Sequence, residues 1–255
     1  MDVTHDLDVL MTAMTSADPT VRDGWAYEEL GQGIADGRFA DEQDEILTLT
    51  TSRLEDPSPW ARSFAPLVMT WLADAGTFTR ESFEAFAAWY PTECDTRGFD
   101  PEVGWIHAVA HGADYLGLLA ERRLVPPAEV LALSAARMLG PGTAWTNQED
   151  ARITRAALSA LTTCTSVADA TDWLASITSR LDALEAEADA DADADADSSL
   201  LAPQAWVHNT TMTCTKLHLA LQLESNAEQI LPVARDAVIS RLRQIVLRVE
   251  PYIAL

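Results

Sequence analysis

Apolar residues recur along this chain at the three- and four-residue spacing of a helix face, and period-two alternation never lasts long enough to form a strand. Leu7, Leu10, Met11 and Met14 define a first helix over about Thr4–Ser16. Asp18 followed by Pro19 opens a second, because a short acidic side chain caps the free N–H groups and proline fits the first helical position. That helix carries Trp25, Leu30 and Ile34 and stops near Gly37, and a third fills Asp41–Leu54. Ser58 and Pro59 repeat the start signal ahead of Phe64, Leu67, Val68, Trp71 and Leu72, and Thr79 caps a helix with Phe83, Phe86 and Trp89. Asp100-Pro101 reads as a further start, for a long helix over Glu102–Arg123. Pro126-Pro127, a capping box from Thr146 to Glu149, and Ser166 open the next three, the last running through Trp173 to Leu184. Two final helices span Pro203–Leu223 and Asn226–Val249, with Pro232 marking either a true start or a kink. The expected fold class is all-α.

Asp18, Asp56, Asp100 and Asp150 each precede a helix at intervals of 38, 44 and 50 residues, with Arg22, Arg62 and Arg152 close behind three of them. Such a period fits a HEAT-like α/α superhelix of antiparallel helix pairs, where each pair buries its apolar face by stacking on its neighbours. A compact irregular bundle is the alternative. We expect one domain over 1–255. Residues 185–199 form an acidic Ala/Asp insertion that buries nothing and repels itself, and so reads as a solvated loop. It lacks the glycine turn and varied ligands of a calcium loop.

Charge narrows the partners. Forty acidic against 17 basic residues leave a formal charge of -23. A surface of that sign repels phosphate backbones and anionic lipid, and no basic patch offsets it, so nucleic acid and membrane are excluded as expected partners. Cys94, Cys164 and Cys214 are far apart, with no CxxC spacing for a zinc ribbon or disulfide framework. The N-terminus lacks the pattern of a signal peptide, and no apolar run reaches the length of a membrane span, so a cytoplasmic protein is expected.

The chemistry gathers at Gly104–Leu116, which holds two of the five histidines. On a continuous helix His107, His111 and Asp114 share one stripe with Leu118 and Glu121. Trp105, Val109, Leu116 and Leu119 form an apolar face, and Ile106, Ala110, Ala113, Gly117 and Ala120 a small-residue face. A helix apolar over most of its circumference is central, so the stripe should open onto a groove. Two imidazoles and a carboxylate there can bind a divalent metal that activates water. The glutamate that follows the first histidine of a zincin is replaced by Ala108, leaving Glu93 or Asp95 as guesses for a base. His208 and the Cys214/His218 pair are further possible donors. The plainer reading gives the histidines a structural or non-metal ligand role, held in one tautomer by neighbouring acceptors, and HxxxH spacing alone does not displace it. No phosphate-binding glycine loop or GxSxG elbow occurs.

The segment from Arg97-Gly98 through Gly104-Trp105-Ile106-His107-Ala108-Val109-Ala110-His111-Gly112-Ala113-Asp114 resembles the bacterial family catalogued as domain of unknown function 2785, with its G-W-x-H-x-x-A-H-x-A-D core. That resemblance implies an all-helical, HEAT-like fold and no established function, and places Trp105 and Arg97 beside His107, His111 and Asp114. The expectation is a helical-repeat module whose groove, lined by these five residues, binds a protein or small-molecule ligand. The alternative is a metal-dependent hydrolase using His107, His111 and Asp114.

Overall fold

A computed structural model describes residues 7–192, 204–223 and 225–250. Helix follows helix, with one short hairpin between. The first is α1 (Leu7–Ala13). Asp18 caps α2 (Pro19–Val21) by accepting the Thr20 N–H. A π-helical turn over Arg22–Tyr27 leads into α3 (Glu28–Ala35), and α4 (Gln43–Ser52) follows. Ser58 caps α5 (Pro59–Asp74) and Thr79 caps α6 (Arg80–Trp89) as their side chains require. Beyond the hairpin lie α7 (Ala108–Glu121), α8 (Pro127–Leu139) and α9 (Glu149–Thr163). Then come α10 (Val167–Thr171), α11 (Leu174–Ala192), α12 (Ala205–Leu223) and α13 (Pro232–Val249).

Four expectations are corrected. The long helix does not start at Asp100-Pro101. Phe99–Asp100 (β1) pairs antiparallel with Gly104–Trp105 (β2), Phe99 opposite Trp105. Asp100 Oδ1 accepts the N–H groups of Glu102 and Val103, at 2.9 and 3.2 Å, closing a turn instead of a helix. Gly104 then takes φ +76, a left-handed conformation that stops helical propagation. A Cβ there would also meet Pro19 at 2.8 Å. Second, Thr146 does not cap α9. Gln148 is the cap residue and Glu149 the first helical residue, its Oε2 accepting from Asn147 N at 2.8 Å. Third, the helix from Ser166 breaks at Asp172–Trp173, between α10 and α11. Fourth, α11 carries on into the acidic run as far as Ala192, so 185–192 are helical, while 193–199 lie outside the described residues. Pro232 is a true start, at the first position of α13.

The long helices pack in series: α5 on α7, α7 on α9, α9 on α12, α12 on α13. A second set lies against them, with α4 touching α5 and α6, and α8 touching α7, α9 and α12. Helix α7 is central. Every residue of it is buried except His111, Asp114, Leu118 and Glu121, spaced as one stripe. Its small residues allow close approach: the Gly117 backbone lies against Ala156 of α9, where a Cβ would sit 3.6 Å from the Ala156 Cα. Among the described residues, no helix is long and apolar enough to cross a membrane.

Buried charges fasten the loops to this frame. The Arg137 guanidinium is 1% exposed and donates to the carbonyls of Tyr90, Glu93 and Pro141. Arg22 is fully buried. It pairs with Asp23 at 2.7 Å, reaches Ser16 O at 3.0 Å, and donates to Val103 O and Trp105 O at 2.9 and 3.2 Å. The π-helical turn thus holds the hairpin in place from the N-terminal side.

Candidate functional site

The hairpin delivers the chain to His107 in an unusual way. Ile106 N and His107 N donate to Gly98 O and Arg97 O, both at 2.9 Å, prolonging the pairing. His107 then turns left-handed, at φ +54, and α7 begins one residue later. Gln148, which caps α9, is also left-handed at φ +68. For non-glycine residues this conformation costs about 1–2 kcal/mol each, and such strain persists where surrounding contacts over-determine it. The two residues meet through their neighbours: His107 Nε2–H donates to Asn147 O at 3.0 Å, with Glu149 Oε1 3.3 Å away.

That geometry fixes one tautomer. Neutral His107 carries its proton on Nε2, leaving Nδ1 as an acceptor. Glu149, whose side chain is 1% exposed, backs the ring. Burial opposes its ionisation, but the adjacent His107 ring N–H and the amides of Glu149 and Asn147 outweigh it and hold the carboxyl below its usual range. His111, one turn into α7, is fixed in the other sense: Nδ1–H donates to Ser63 O at 2.9 Å, leaving Nε2 as the acceptor. Its ring meets Phe64 edge-on at 5.1 Å and His107 edge-on at 5.7 Å.

Burial, helped by the positive charges of Arg152 and Arg22 and opposed by the bond to Ser63, pushes the His111 imidazole down to about 3. The unfolded chain therefore takes up a proton, below about pH 6.5, that the folded one refuses. Stability linked to His111 is complete above that pH and is lost as pH falls toward 3, by about 1.4 kcal/mol per unit. Urea midpoints at pH 7 and pH 5 should show this slope, and His111→Asn should flatten it.

Both imidazoles line one cleft of about 420 Å³, together with Asp23, Tyr27, Phe64, Trp105, Asn147, Gln148 and Arg152. Trp105 stands at its side, 42% exposed, stacked on the His107 ring at 4.7 Å and 26°. Phe99 packs edge-on against the indole at 5.2 Å. Asp23 is tied to Arg22, with burial raising its carboxyl above the usual range despite that pairing.

The five expected site residues are thus divided. Trp105, His107 and His111 share the cleft, although Trp105 and His107 come from the hairpin and its exit, not from the helix. Asp114 lines an adjoining recess and gives both oxygens to Arg152 Nη1, at 2.7 and 2.6 Å. Arg97 pairs with Asp95 and Asp100 at the foot of the hairpin, and only its backbone carbonyl reaches His107. Among the described residues, no group of three or more His, Cys, Asp or Glu side chains is placed to hold a metal ion. Glu93 is fully engaged by Arg62, Trp89 and the Asp95 amide. Asp95 accepts from Arg97. On α12, Cys214 is buried in the core and His218 bonds Gln222, and neither they nor His208 line the cleft.

The model of the protein family of unknown function DUF2785 matches residues 49–219. This chain belongs to that family. No curated protein and no solved structure matches it. Within the DUF2785 match lie the hairpin, both histidines, Asn147, Glu149 and Arg152, whereas Asp23 and Tyr27 stand before it. Sequence reasoning missed those two as site residues, and with them Asn147, Gln148, Glu149 and Arg152. The unexplained signals were a charged Val21-Arg22-Asp23 inside an apolar helix pattern and a glutamate in an apparent capping box.

Proposed function

We propose that this member of DUF2785 is a small-molecule-binding module built on a HEAT-like α/α superhelix, with the cleft between the hairpin, α5, α7 and the start of α9 as its ligand site. The serial packing of α5, α7, α9 and α12 supports the superhelix. One observation carries the binding reading. Two neighbouring imidazoles each have one N–H committed to a backbone carbonyl, so each presents an acceptor nitrogen beside an exposed tryptophan in a cleft of small-ligand size. Backbone strain at both His107 and Gln148 supports it further. The charge of -23 disfavours a polyanion as the ligand.

The test is a thermal-shift and native mass-spectrometry screen of purified full-length protein against a mixed small-metabolite panel. At least one compound should bind in 1:1 ratio and raise the melting temperature of the wild type but not of Trp105→Ala. A panel with no such compound overturns the reading.

A metal-dependent hydrolase using His107, His111 and Asp114 is the second reading. It is favoured by the way each ring is fixed through its far nitrogen, as metal-ligating histidines are. It requires Asp114 to leave Arg152. Zinc or manganese raising the melting temperature of the wild type, but not of a His107→Ala/His111→Ala variant, would support it; no shift would count against it.

A further inference from the structure

Resting on the cleft being a ligand site, we infer that what it takes is an uncharged, hydroxyl-bearing ring, a sugar unit, rather than an ionic metabolite. The charges of the cleft are each paired or covered. Asp23 is neutralised by the buried Arg22 beneath it, Arg152 by Asp114, and Glu149 sits behind His107 with its side chain almost fully covered. His111 has its Nδ1–H committed to Ser63 O, which leaves Nε2 as the group it turns to a ligand. An ionic ligand would give up hydration without gaining an unpaired counter-charge.

What the cleft does present is hydrogen-bonding capacity without charge. His107 Nδ1 and His111 Nε2 bond no other group among the described residues, and both are acceptors by tautomer, so each calls for an O–H or N–H. The Gln148 side chain and the Asn147 Nδ2 are likewise unbonded among the described residues and add amide donors. Beside these polar groups stands the Trp105 indole, held by the hairpin and by its stack on His107. A ligand matching this set has hydroxyl groups around its edge and an apolar C–H face to lie on an aromatic ring. That is the surface of a sugar. A bare heterocycle offers the face with few O–H groups, and an acyl chain neither.

Titration calorimetry with the full chain tests this against neutral mono- and disaccharides, their charged counterparts (glucose 6-phosphate, glucuronate, glucosamine), and adenosine and uridine. At least one neutral sugar should bind saturably, with its charged counterpart about tenfold weaker or more. Trp105→Ala should weaken that binding by about tenfold, while Trp105→Phe, which keeps a platform, stays within about threefold. His111→Phe removes the acceptor and should also weaken binding, and circular-dichroism melts confirm that each variant is folded. A charged compound or a nucleoside that binds in preference to every neutral sugar, and is lost in Trp105→Ala, overturns the sugar inference while leaving the cleft as a ligand site. If no compound from any arm binds in a Trp105-dependent way, both fail.

Discussion

Replacing Arg22 with alanine is expected to cost about 3–5 kcal/mol of folding free energy, the range for removing one partner of a buried ion pair. The guanidinium is fully buried, so the variant leaves a void and strips the donor from the carbonyls of Ser16, Val103 and Trp105 together. Each carbonyl left without a partner adds its own desolvation penalty. In a domain of this size the melting temperature should fall by on the order of 10 °C. The second consequence is local. With Val103 and Trp105 released, the hairpin loses one of its anchors, and Trp105 fluorescence should shift to the red and become more accessible to acrylamide. A melting temperature within 2 °C or so of the wild type would show that the clamp contributes little.

The next largest effect is expected at Glu93. Its carboxylate takes Arg62 Nε and Nη2 at 2.6 and 3.0 Å, Trp89 Nε1 at 2.9 Å and Asp95 N at 2.8 Å, with the side chain 5% exposed. Glu93→Ala orphans all of these at once, and about 3–5 kcal/mol should be lost. The wild type should show a matching pH dependence. Burial resists ionisation of Glu93, but Arg62, the Asp95 amide and Trp89 together overcome it and hold the carboxyl below its usual range. A depressed carboxyl contributes its stability above the ordinary glutamate range and loses it as pH falls through the lowered value. Glu93→Gln, which keeps the shape and drops the charge, should be less stable than wild type at pH 7 and should converge with it in acid. Equal stabilities at neutral pH would argue against the ion pair as the main contributor.

Helix starts were legible because cap chemistry is local. Asp18, Ser58, Thr79 and Ser166 each accept an N–H two or three residues on, and nothing remote needs to be known to place them. The same locality explains the error at Asp100. An aspartate accepting from the second and third residues beyond it closes a turn as readily as it opens a helix, and the decision rests on Gly104, whose left-handed φ lies where a Cβ would meet Pro19 and Arg22, residues remote in the chain. The outward stripe of α7 was legible from His111 onward, since periodicity inside a helix is geometric. His107 lies before that periodicity starts. It reaches His111 by the hairpin's exit, a route that spacing along a helix does not encode.

The long-range partners were not legible at all. Apolar periodicity assigns an arginine to solvent, so it gives no hint that Arg22 and Arg137 are among the most deeply buried side chains. Nor does a string of residues show that Asn147 and Glu149 will face His107 across the join of two helices. The histidines themselves stood out. The groups that fix their protons did not.

The Arg22 clamp bears on how fragments of this protein should be cut. A clone trimmed to the family-matched span, 49–219, would retain both imidazoles and the tryptophan. It would nonetheless lack the side chain that donates to the carbonyls of Val103 and Trp105, together with the Asp23 and Tyr27 wall. Ligand screens run on that excised piece would sample a slack hairpin beside a half-open hollow, and a blank result would reflect the scissors, not the protein.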